Sequence, residues 1–327
     1  MTLLGLDNLT LTHTAAYFGG AVAMGLGAIG AATGEGFTAS RASEAIARSQ
    51  ENAGDIIKNM LVGQAISESA SIFSLVIAIL LLFLDISDPG VAKAASLLAA
   101  GVCMGFGAIG SGVGAGIPAG RSCLAIARQP AVSGRITTNM LIGTAVCQTP
   151  AIFAMVVALI LLFKPTGGLA AFPTCAALIG AGLSSGLAAI GSGYGGGMAA
   201  GASCEGVART PEASTAVTTT MLVGQAVAQT PSVFGLLISF VLMFRAFPES
   251  TTLSASVGLL SAGLCMGLGG IGPGIGNGMT AEGAVRWVAR RADYAGDLMR
   301  IMLVGQAVSQ STAIYAMVVS LVLIFVV

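Results

Sequence analysis

The stretch MLVGQAISESASIFSLVIAILLLF, residues 60–83, is long and apolar enough to cross a lipid bilayer as one helix. It nevertheless carries a carboxylate, Glu68, near its middle. A near-copy, MLVGQAVSQSTAIYAMVVSLVLIF at 302–325, has glutamine, Gln310, at the matching place. A charged side chain at the bilayer centre costs about 2.5–3.5 kcal/mol on insertion scales. Glu68 is therefore a candidate functional residue.

The composition is typical of a polytopic helical membrane protein. The chain has 327 residues, of which 55% are hydrophobic and only 9% are charged, whereas soluble domains are about a quarter charged. Its mean hydropathy is +0.91. The hydropathy predicts a lipid bilayer as partner. The net charge is zero, so we expect no nucleic-acid partner. The N-terminal region lacks a basic segment, and no cleaved signal peptide is expected.

Two recurring motifs divide the chain into four tandem units. GLGAIG at 25–30 and MLVGQA at 60–65 each return three times, in steps of 80, 81 and 81 residues. Each unit contains a Gly-rich apolar segment, a short polar loop and a bulky apolar segment, which predicts a helical hairpin. We therefore predict an all-α membrane protein with eight transmembrane helices. Its four hairpins are hairpin 1 (10–88), hairpin 2 (89–168), hairpin 3 (169–249) and hairpin 4 (250–327).

The glycines have two possible interpretations. GLGAIG matches the dinucleotide-binding pattern G-x-G-x-x-G, but that pattern needs a preceding strand, and here it lies within a long apolar helical run. Small residues also let helix backbones approach closely in lipid. We favour this second interpretation, because thin first helices inside and bulky second helices outside suit a closed ring.

The basic residues indicate an orientation. Lys93, Lys164 and Arg245 lie between hairpins, whereas the other eleven of the fourteen Lys and Arg residues lie in or beside the loops within hairpins. Cytoplasmic loops carry an excess of positive charge. We therefore expect the loops within hairpins to be cytoplasmic and both termini to lie on the opposite side.

The loops and second helices carry a family resemblance. The loops read ARSQ, ARQP, ARTP and ARRA, and the second helix of hairpin 1 contains GQAxxES followed by an aromatic residue. In these features the chain resembles, four times over, the proteolipid (c) subunits of rotary ATP synthases and ATPases. Their loop motif is Ala-Arg-Gln-Pro, and GQAxxES looks like their ion-carrying segment. The resemblance implies a membrane rotor ring made of copies of the chain, in which each carboxylate carries an ion.

The same resemblance implies two further partners. A stator membrane subunit with a basic residue is expected where the ion is released, and central stalk subunits are expected against the loops. Stalk docking and ordinary positive-inside anchoring explain the loop arginines equally well; these are Arg48, Arg128, Arg209 and Arg290. The sequence contains no P-loop motif, so we expect a non-catalytic subunit with no catalytic residue for ATP.

Two acids lie deep in the apolar spans, Glu35 in the first helix and Glu68 in the second. An α-helix rises about 1.5 Å per residue. Counted from the loop between the two helices, both acids can therefore lie at a similar depth in the bilayer. The resemblance implies that Glu35, Glu68 and Ser69 match the pattern of sodium-binding family members. Two nearby carboxylates cannot both stay charged without a neutralising partner. They are therefore expected to share a proton while a cation, Na⁺, is bound. A rotor carrying H⁺ is the alternative.

The other hairpins have lost both acids. The residues aligned with Glu35 are Ala115, Gly196 and Asn277, and those aligned with Glu68 are Gln148, Gln229 and Gln310. Glutamine is nearly isosteric with glutamate but cannot ionise. We therefore predict that these three hairpins are silent and carry no ion.

Hairpin 4 contains residues that would complete a site. In the family, as the resemblance implies, one hairpin supplies the acid and its neighbour supplies a carbonyl and hydroxyl groups. Hairpin 4 has the carbonyl of Val308 and the hydroxyls of Ser311, Thr312 and Tyr315. We therefore predict one Na⁺ site per chain, between Glu35 and Glu68 of one copy and hairpin 4 of the next. Chance drift between Tyr and Phe is the alternative explanation of Tyr315.

One ion per four hairpins has an energetic consequence. Moving one charge against the membrane potential costs about 2.3 kcal/mol per 100 mV. When the energy of one ATP is divided among fewer ions, each ion can be moved against a steeper gradient. We therefore favour an ATP-driven sodium pump. The alternatives are an H⁺-carrying subunit of an ATP synthase and a structural or pore-forming proteolipid that translocates nothing.

Overall fold

A computed structural model describes residues 7–86, 88–248 and 252–326, and regular structure in these ranges is helical throughout. The ten α-helices are α1 (Asn8–Arg48), α2 (Ala53–Phe83), α3 (Val91–Arg128), α4 (Ser133–Cys147), α5 (Thr149–Phe163), α6 (Ala171–Arg209), α7 (Ser214–Ala228), α8 (Thr230–Phe244), α9 (Leu253–Val288) and α10 (Ala295–Val326). Within the described residues, eight helical stretches are long and apolar enough to cross a membrane. The predicted all-α class is confirmed, while the predicted boundary between residues 249 and 250 lies outside the described residues.

The hairpins stand side by side in chain order. The first helices of the hairpins, α1, α3, α6 and α9, are the inner helices, and they form the most extensive helix–helix contacts, α1 with α3, α3 with α6 and α6 with α9. The second helices, α2, α4 with α5, α7 with α8, and α10, pack against the inner row and are the outer helices. Each hairpin turns through a short loop with one turn of 3₁₀ helix.

Glycines set the spacing of the inner row. A Cβ added at Gly30 of α1 would lie 2.6 Å from the Cα of Ile109 in α3, and one at Gly193 of α6 would lie 2.5 Å from the carbonyl carbon of Gly110. The same holds for Gly274 of α9, where a Cβ would be 2.5 Å from the carbonyl carbon of Gly191. The backbones therefore touch in a way that only glycine allows, which agrees with small-residue helix packing.

Two of the outer helices are interrupted. In hairpins 2 and 3 the outer helix divides at Gln148 and Gln229, and the second part begins with Thr-Pro. Proline has no N–H and clashes with the preceding turn, so it starts a new helix more readily than it continues one. The outer helices α2 and α10 of hairpins 1 and 4 run unbroken through the same level. The sequence analysis did not anticipate this difference.

Both ends of the row are open edges. In the most apolar part of α3 and of α6, 72% of the residues are buried, whereas in α1 and in α9 the share is 39%. An inner helix in the middle of the row is covered by neighbours on both sides, and a helix at the end is covered on one side. Hairpins 1 and 4 therefore each present an uncovered face.

Replacing Gly193 with alanine tests the spacing of the inner row. The new Cβ would overlap the backbone of α3, so we expect Gly193→Ala to lower the free energy of unfolding by about 1–3 kcal/mol. The matched control is Gly134→Ala in α4, where no atom lies within 4 Å of an added Cβ. Thermal unfolding in detergent measures both variants. Equal stability of the two would contradict the close approach described here.

Candidate ion site

Glu35 and Glu68 come together within hairpin 1. Glu35 lies on α1 and Glu68 on α2, and the Nε2 of Gln64 donates to the carbonyl oxygen of Glu35 at 3.2 Å. This bond holds the two helices together at the level of the acids. The Glu35 carboxylate is half-buried and lies close enough to Glu68 for the two charges to interact. The structure therefore brings the two acids near each other within one hairpin.

The equivalent pair in hairpin 4 is in direct contact. The Nδ2 of Asn277 donates to the Oε1 of Gln310 at 2.7 Å. These residues occupy the positions of Glu35 and Glu68, so this hydrogen bond is the neutral counterpart of the acid pair. In hairpin 3 an added Cβ at Gly196 would lie 3.2 Å from the Nε2 of Gln229. The two positions thus meet within hairpin 3 and within hairpin 4.

The equivalent positions of hairpins 2, 3 and 4 also reach back to the preceding hairpin. The Nε2 of Gln148 donates to the carbonyl oxygen of Ile66 at 3.0 Å. The Nε2 of Gln229 donates to the carbonyl oxygen of Val146 at 3.5 Å. In hairpin 4 the bond to the equivalent carbonyl comes from the inner helix instead: the Nδ2 of Asn277, at the position of Glu35, donates to the carbonyl oxygen of Val227 at 3.5 Å. The site position of every hairpin after the first therefore faces one particular carbonyl of the hairpin before it.

A second row of glutamines joins the same elements. The Nε2 of Gln225 donates at 3.0 Å to the carbonyl oxygens of Gly143 and Gly196. Gln306 repeats this arrangement with the carbonyl oxygens of Gly224 and Asn277, again at 3.0 Å. Sequence reasoning missed this role, although the recurring MLVGQA motif contains the glutamine. Each of these side chains ties an outer helix both to its own inner helix and to the preceding hairpin.

Glu68 is more exposed than the glutamines at its position in the other hairpins. Gln148, Gln229 and Gln310 are only 6–8% exposed, because a preceding hairpin covers them. Glu68 is exposed, since it lies on the open edge of hairpin 1. Val308, which occupies the position of Ile66 in hairpin 4, is 69% exposed on the opposite open edge. The acid and the matching carbonyl segment thus lie on the two uncovered faces of the chain.

The predicted hydroxyl groups lie partly at the interface of hairpins 1 and 2 and partly on the open edge of hairpin 4. The Oγ of Ser69 donates to the carbonyl oxygen of Ile66, which also accepts from Gln148, so Ser69 lies towards hairpin 2. In hairpin 4 the Oγ of Ser311 donates to the carbonyl oxygen of Val308 at 2.7 Å. The hydroxyl of Thr312 donates within α10, to the carbonyl oxygen of Ser309 at 3.1 Å. Tyr315 is 65% exposed on the same open edge.

The loop arginines lie one in each hairpin, at or just beyond the loop ends of the inner helices. Arg48, Arg128 and Arg209 occupy the last turns of α1, α3 and α6, where positive charge complements the helix dipole. Arg48 pairs with Glu44. Arg290 follows α9, and its guanidinium lies 4.8 Å from the centre of the Trp287 ring. Anchoring of the helix ends therefore accounts for part of the recurrence of arginine at this place in each repeat.

Comparison with known proteins identifies the repeat. The family model for the ATP synthase C subunit matches the chain four times, at residues 18–81, 98–161, 179–242 and 260–323. The ATP synthase c subunit of Petrotoga mobilis is 54% identical over 67 residues, which are 20% of this chain and 70% of that protein. The ATP synthase c subunit of Prochlorococcus marinus is 46% identical over 77 residues, 24% of this chain and 93% of that protein. The protein of the same name from Thermotoga petrophila is 44% identical over 73 residues, 22% of this chain and 86% of that protein.

Exchanging glutamate and glutamine tests the difference between the sites. We expect Glu68→Gln to leave the stability of the chain unchanged, because glutamine occupies the same position in the other three hairpins. We expect Gln148→Glu to lower it by about 1–3 kcal/mol at neutral pH, because the donor to the carbonyl of Ile66 is replaced by a buried acceptor. Thermal unfolding measures both. A stable Gln148→Glu variant, or an unstable Glu68→Gln variant, would contradict the geometry.

Proposed function

The chain belongs to the family of ATP synthase c subunits, and on that premise we propose that it is a rotor subunit that carries Na⁺ on one carboxylate site per chain, in an ATP-driven pump. It is a multi-pass integral membrane protein. The c subunits of ATP synthase form rings and work with the other subunits of that complex. The sodium site, its place between copies and the direction of transport are the parts that we propose.

The register of the silent sites supports a site between copies. Hydrogen bonds join Gln148 to the carbonyl of Ile66 and Gln229 to that of Val146, one repeat further along. Continuing this series in a ring places Glu68 against the carbonyl of Val308 in the preceding copy. This is the single observation that carries the proposal, because it predicts the facing residue without reference to the ion.

The chemistry of the facing groups suits a hard cation. Glu35 and Glu68 supply carboxylate oxygens from one copy, and the preceding copy supplies the Val308 carbonyl and the hydroxyls of Ser311 and Tyr315. Oxygen ligands of this kind favour hard metal ions over soft ones. Two carboxylates at one site cannot both be bare, so one shared proton and one Na⁺ balance their charge.

Hairpins 1 and 4, which would form the proposed site between copies, also differ from hairpins 2 and 3 in their outer helices. In hairpins 2 and 3 the outer helix divides at the silent glutamine, and Thr-Pro follows. In hairpins 1 and 4 it is continuous, with Ser69 or Ser311 in place of the threonine. The two hairpins that would meet between copies are therefore alike in backbone and differ together from the silent pair.

The ratio of ions to hairpins favours a pump. A ring made of this chain would carry one ion for every four hairpins, so few ions would cross per turn. Each charge moved costs about 2.3 kcal/mol per 100 mV, and the energy of ATP divided among fewer charges drives each against a steeper gradient. A synthase needs the reverse, many ions per ATP.

Orientation and partners follow from the same proposal. The positive-inside rule places the loops within hairpins in the cytoplasm, where the arginines at the ends of the inner helices would face the acidic groups of a central stalk. A stator subunit with a basic residue would displace Na⁺ from Glu68 as each copy passes. Both chain termini would lie on the opposite side of the membrane.

Labelling with a carbodiimide tests the sodium site, because the reagent attacks a protonated, accessible carboxyl group. On the purified ring we expect one label per chain, at Glu68, and we expect Na⁺ to suppress it while K⁺ at the same ionic strength does not. Intact mass counts the labels and peptide mapping locates them. The Glu68→Gln variant is the control for labelling elsewhere.

Two outcomes of this experiment would change the proposal. Labelling of Glu68 that follows pH and ignores Na⁺ would favour the proton-carrying rotor. Failure to label Glu68 under any condition would favour the proteolipid that translocates nothing.

Two serines distinguish a site between copies from one within a chain. We expect Ser311→Ala to raise the Na⁺ concentration needed to protect Glu68, because Ser311 lies beside the Val308 carbonyl on the facing edge. We expect Ser69→Ala to have little effect, because Ser69 lies towards hairpin 2. Tyr315→Phe should resemble Ser311→Ala. The reverse result for the two serines would place the ligands within hairpin 1 instead.

A further inference from the structure

In hairpin 2 a buried ammonium group caps the end of the outer helix. The Nζ of Lys93, a residue only 8% exposed, donates to the carbonyl oxygens of Leu162 at 2.8 Å and Lys164 at 3.1 Å. The Oγ of Ser96 donates to the carbonyl oxygen of Leu161. The last carbonyl groups of a helix have no partner within it, and the helix dipole favours positive charge beside them. The end of α5 is therefore an ammonium site that the chain fills with its own lysine.

Hairpin 4 caps the matching carbonyl with a different cation. Ile324 occupies the position of Leu162, and its carbonyl oxygen accepts from the Nη1 of Arg245 in the preceding hairpin. The guanidinium of Arg245 also lies 5.2 Å from the centre of the Phe325 ring. Two hairpins thus place a cation at this carbonyl by two different routes.

Hairpin 3 has lost both donors of hairpin 2. Thr174 stands at the position of Lys93, and Ala177 stands at the position of Ser96. Three carbonyl groups at the end of α8 correspond to the capped ones of hairpin 2: those of Leu242, Met243 and Arg245. Within the described ranges none of these three accepts from a side chain. The end of α8 therefore keeps the acceptors of the ammonium site without its lysine.

A cavity of about 90 Å³ lies beside these carbonyl groups. Thr174 and Met243 both line it, so it takes the place that the Lys93 side chain fills in hairpin 2. A group the size of a water molecule needs about 10–15 Å³. Phe244 borders the cavity and is 65% exposed. Because an exposed apolar ring at the end of a membrane span faces lipid, the cavity opens towards lipid.

Two cations also line the cavity, Lys164 from hairpin 2 and Arg245 from hairpin 3. The Nζ of Lys164 lies 5.4 Å from the centre of the Phe244 ring, and this ammonium group makes no hydrogen bond or ion pair within the described part of the chain. Carbonyl oxygens attract an ammonium group, and the two cations attract an anion. The walls of the cavity therefore suit a small zwitterion.

We propose that this cavity binds a phosphoethanolamine group, with its ammonium on the carbonyl oxygens of α8 and its phosphate beside Lys164 and Arg245. An ammonium group has three N–H donors for these oxygens, and a choline group has none. The cavity lies where α8 ends and α6 begins, at the end of the spans opposite the loops within hairpins. Phospholipid head groups of that leaflet lie at the same level. The site is separate from Glu68 and does not depend on which ion the chain carries.

Thermal unfolding of the full-length protein in lipid–detergent micelles tests the site. We expect phosphatidylethanolamine to raise the unfolding temperature above its value in phosphatidylcholine with the same acyl chains, because only the first lipid can donate to the carbonyl groups. Native mass spectrometry should retain one ethanolamine lipid per chain. Equal unfolding temperatures in the two lipids would overturn the proposal and favour capping of α8 by Lys164 itself.

A soluble analogue identifies the source of the group. Glycerophosphoethanolamine carries the same head group without acyl chains, and it is added to the protein in phosphatidylcholine micelles. Protection equal to that of the lipid would support the site and assign it to a soluble ligand. Protection by the lipid alone would support the site and assign it to the bilayer.

Substitutions of Thr174 provide matched variants. Thr174→Lys copies hairpin 2, so we expect it to raise the unfolding temperature in phosphatidylcholine and to abolish the difference between the two lipids. Thr174→Met fills the same space without a donor, so it should abolish the difference without raising the unfolding temperature. A full lipid difference in either variant would locate the lipid elsewhere and overturn the proposal.

Ala255→Lys is the control for added charge. Ala255 occupies the position of Thr174 in hairpin 4, where Arg245 already caps the outer helix. We expect this variant to keep the difference between the two lipids. Loss of the difference here as well would show that added charge alone removes it, and the assignment to the cavity of hairpin 3 would be wrong.

Discussion

The close contact of the glycine-rich inner helices is the constraint on which the rest of the structure depends. Backbone touches backbone at Gly30, Gly193 and Gly274, so the hairpins cannot slide or rotate relative to each other without a clash. This fixed register brings the same side chain of each hairpin to the same carbonyl of the one before. The hydrogen bonds of Gln148 and Gln229 are consequences of that spacing, and they could not repeat in a looser bundle.

Fixed register explains how three hairpins can do without the acid and keep the fold. Removing an acid from a buried position would leave a cavity or an unpaired carbonyl unless an isostere took its place. Glutamine keeps the volume and adds a donor, which the carbonyls of Ile66 and Val146 accept. At the positions of Glu35 and Glu68, charge and its cost in the bilayer are thereby confined to hairpin 1. The other hairpins keep their packing without an ionisable side chain at these positions.

The hairpins, their order and the nearness of Glu35 to Glu68 could be predicted from the sequence, because the repeat period and helix rise determine them. The breaks before Pro150 and Pro231 were not anticipated, since proline is also tolerated within membrane helices. The side on which Ser69 lies was also beyond the sequence. Adjacent residues on a helix face different neighbours, and the alignment of repeats does not reveal which neighbour is which. That assignment needed the contact of Gln148 with Ile66.

Fusion of four hairpins in one chain lets the interfaces between hairpins differ in chemistry. In a ring of identical single hairpins every interface has the same sequence, so a hydrogen bond found at one interface would recur at all of them. Here Asn59 and Asn139 accept from Thr137 and Thr218 across the first two interfaces, whereas Thr220 stands at the same position facing hairpin 4. The acid is confined in a similar way, since Glu68 lies on an open edge and its three equivalents are buried glutamines. The interface at which the proposed sodium site would form is therefore free to differ from the interfaces inside the chain.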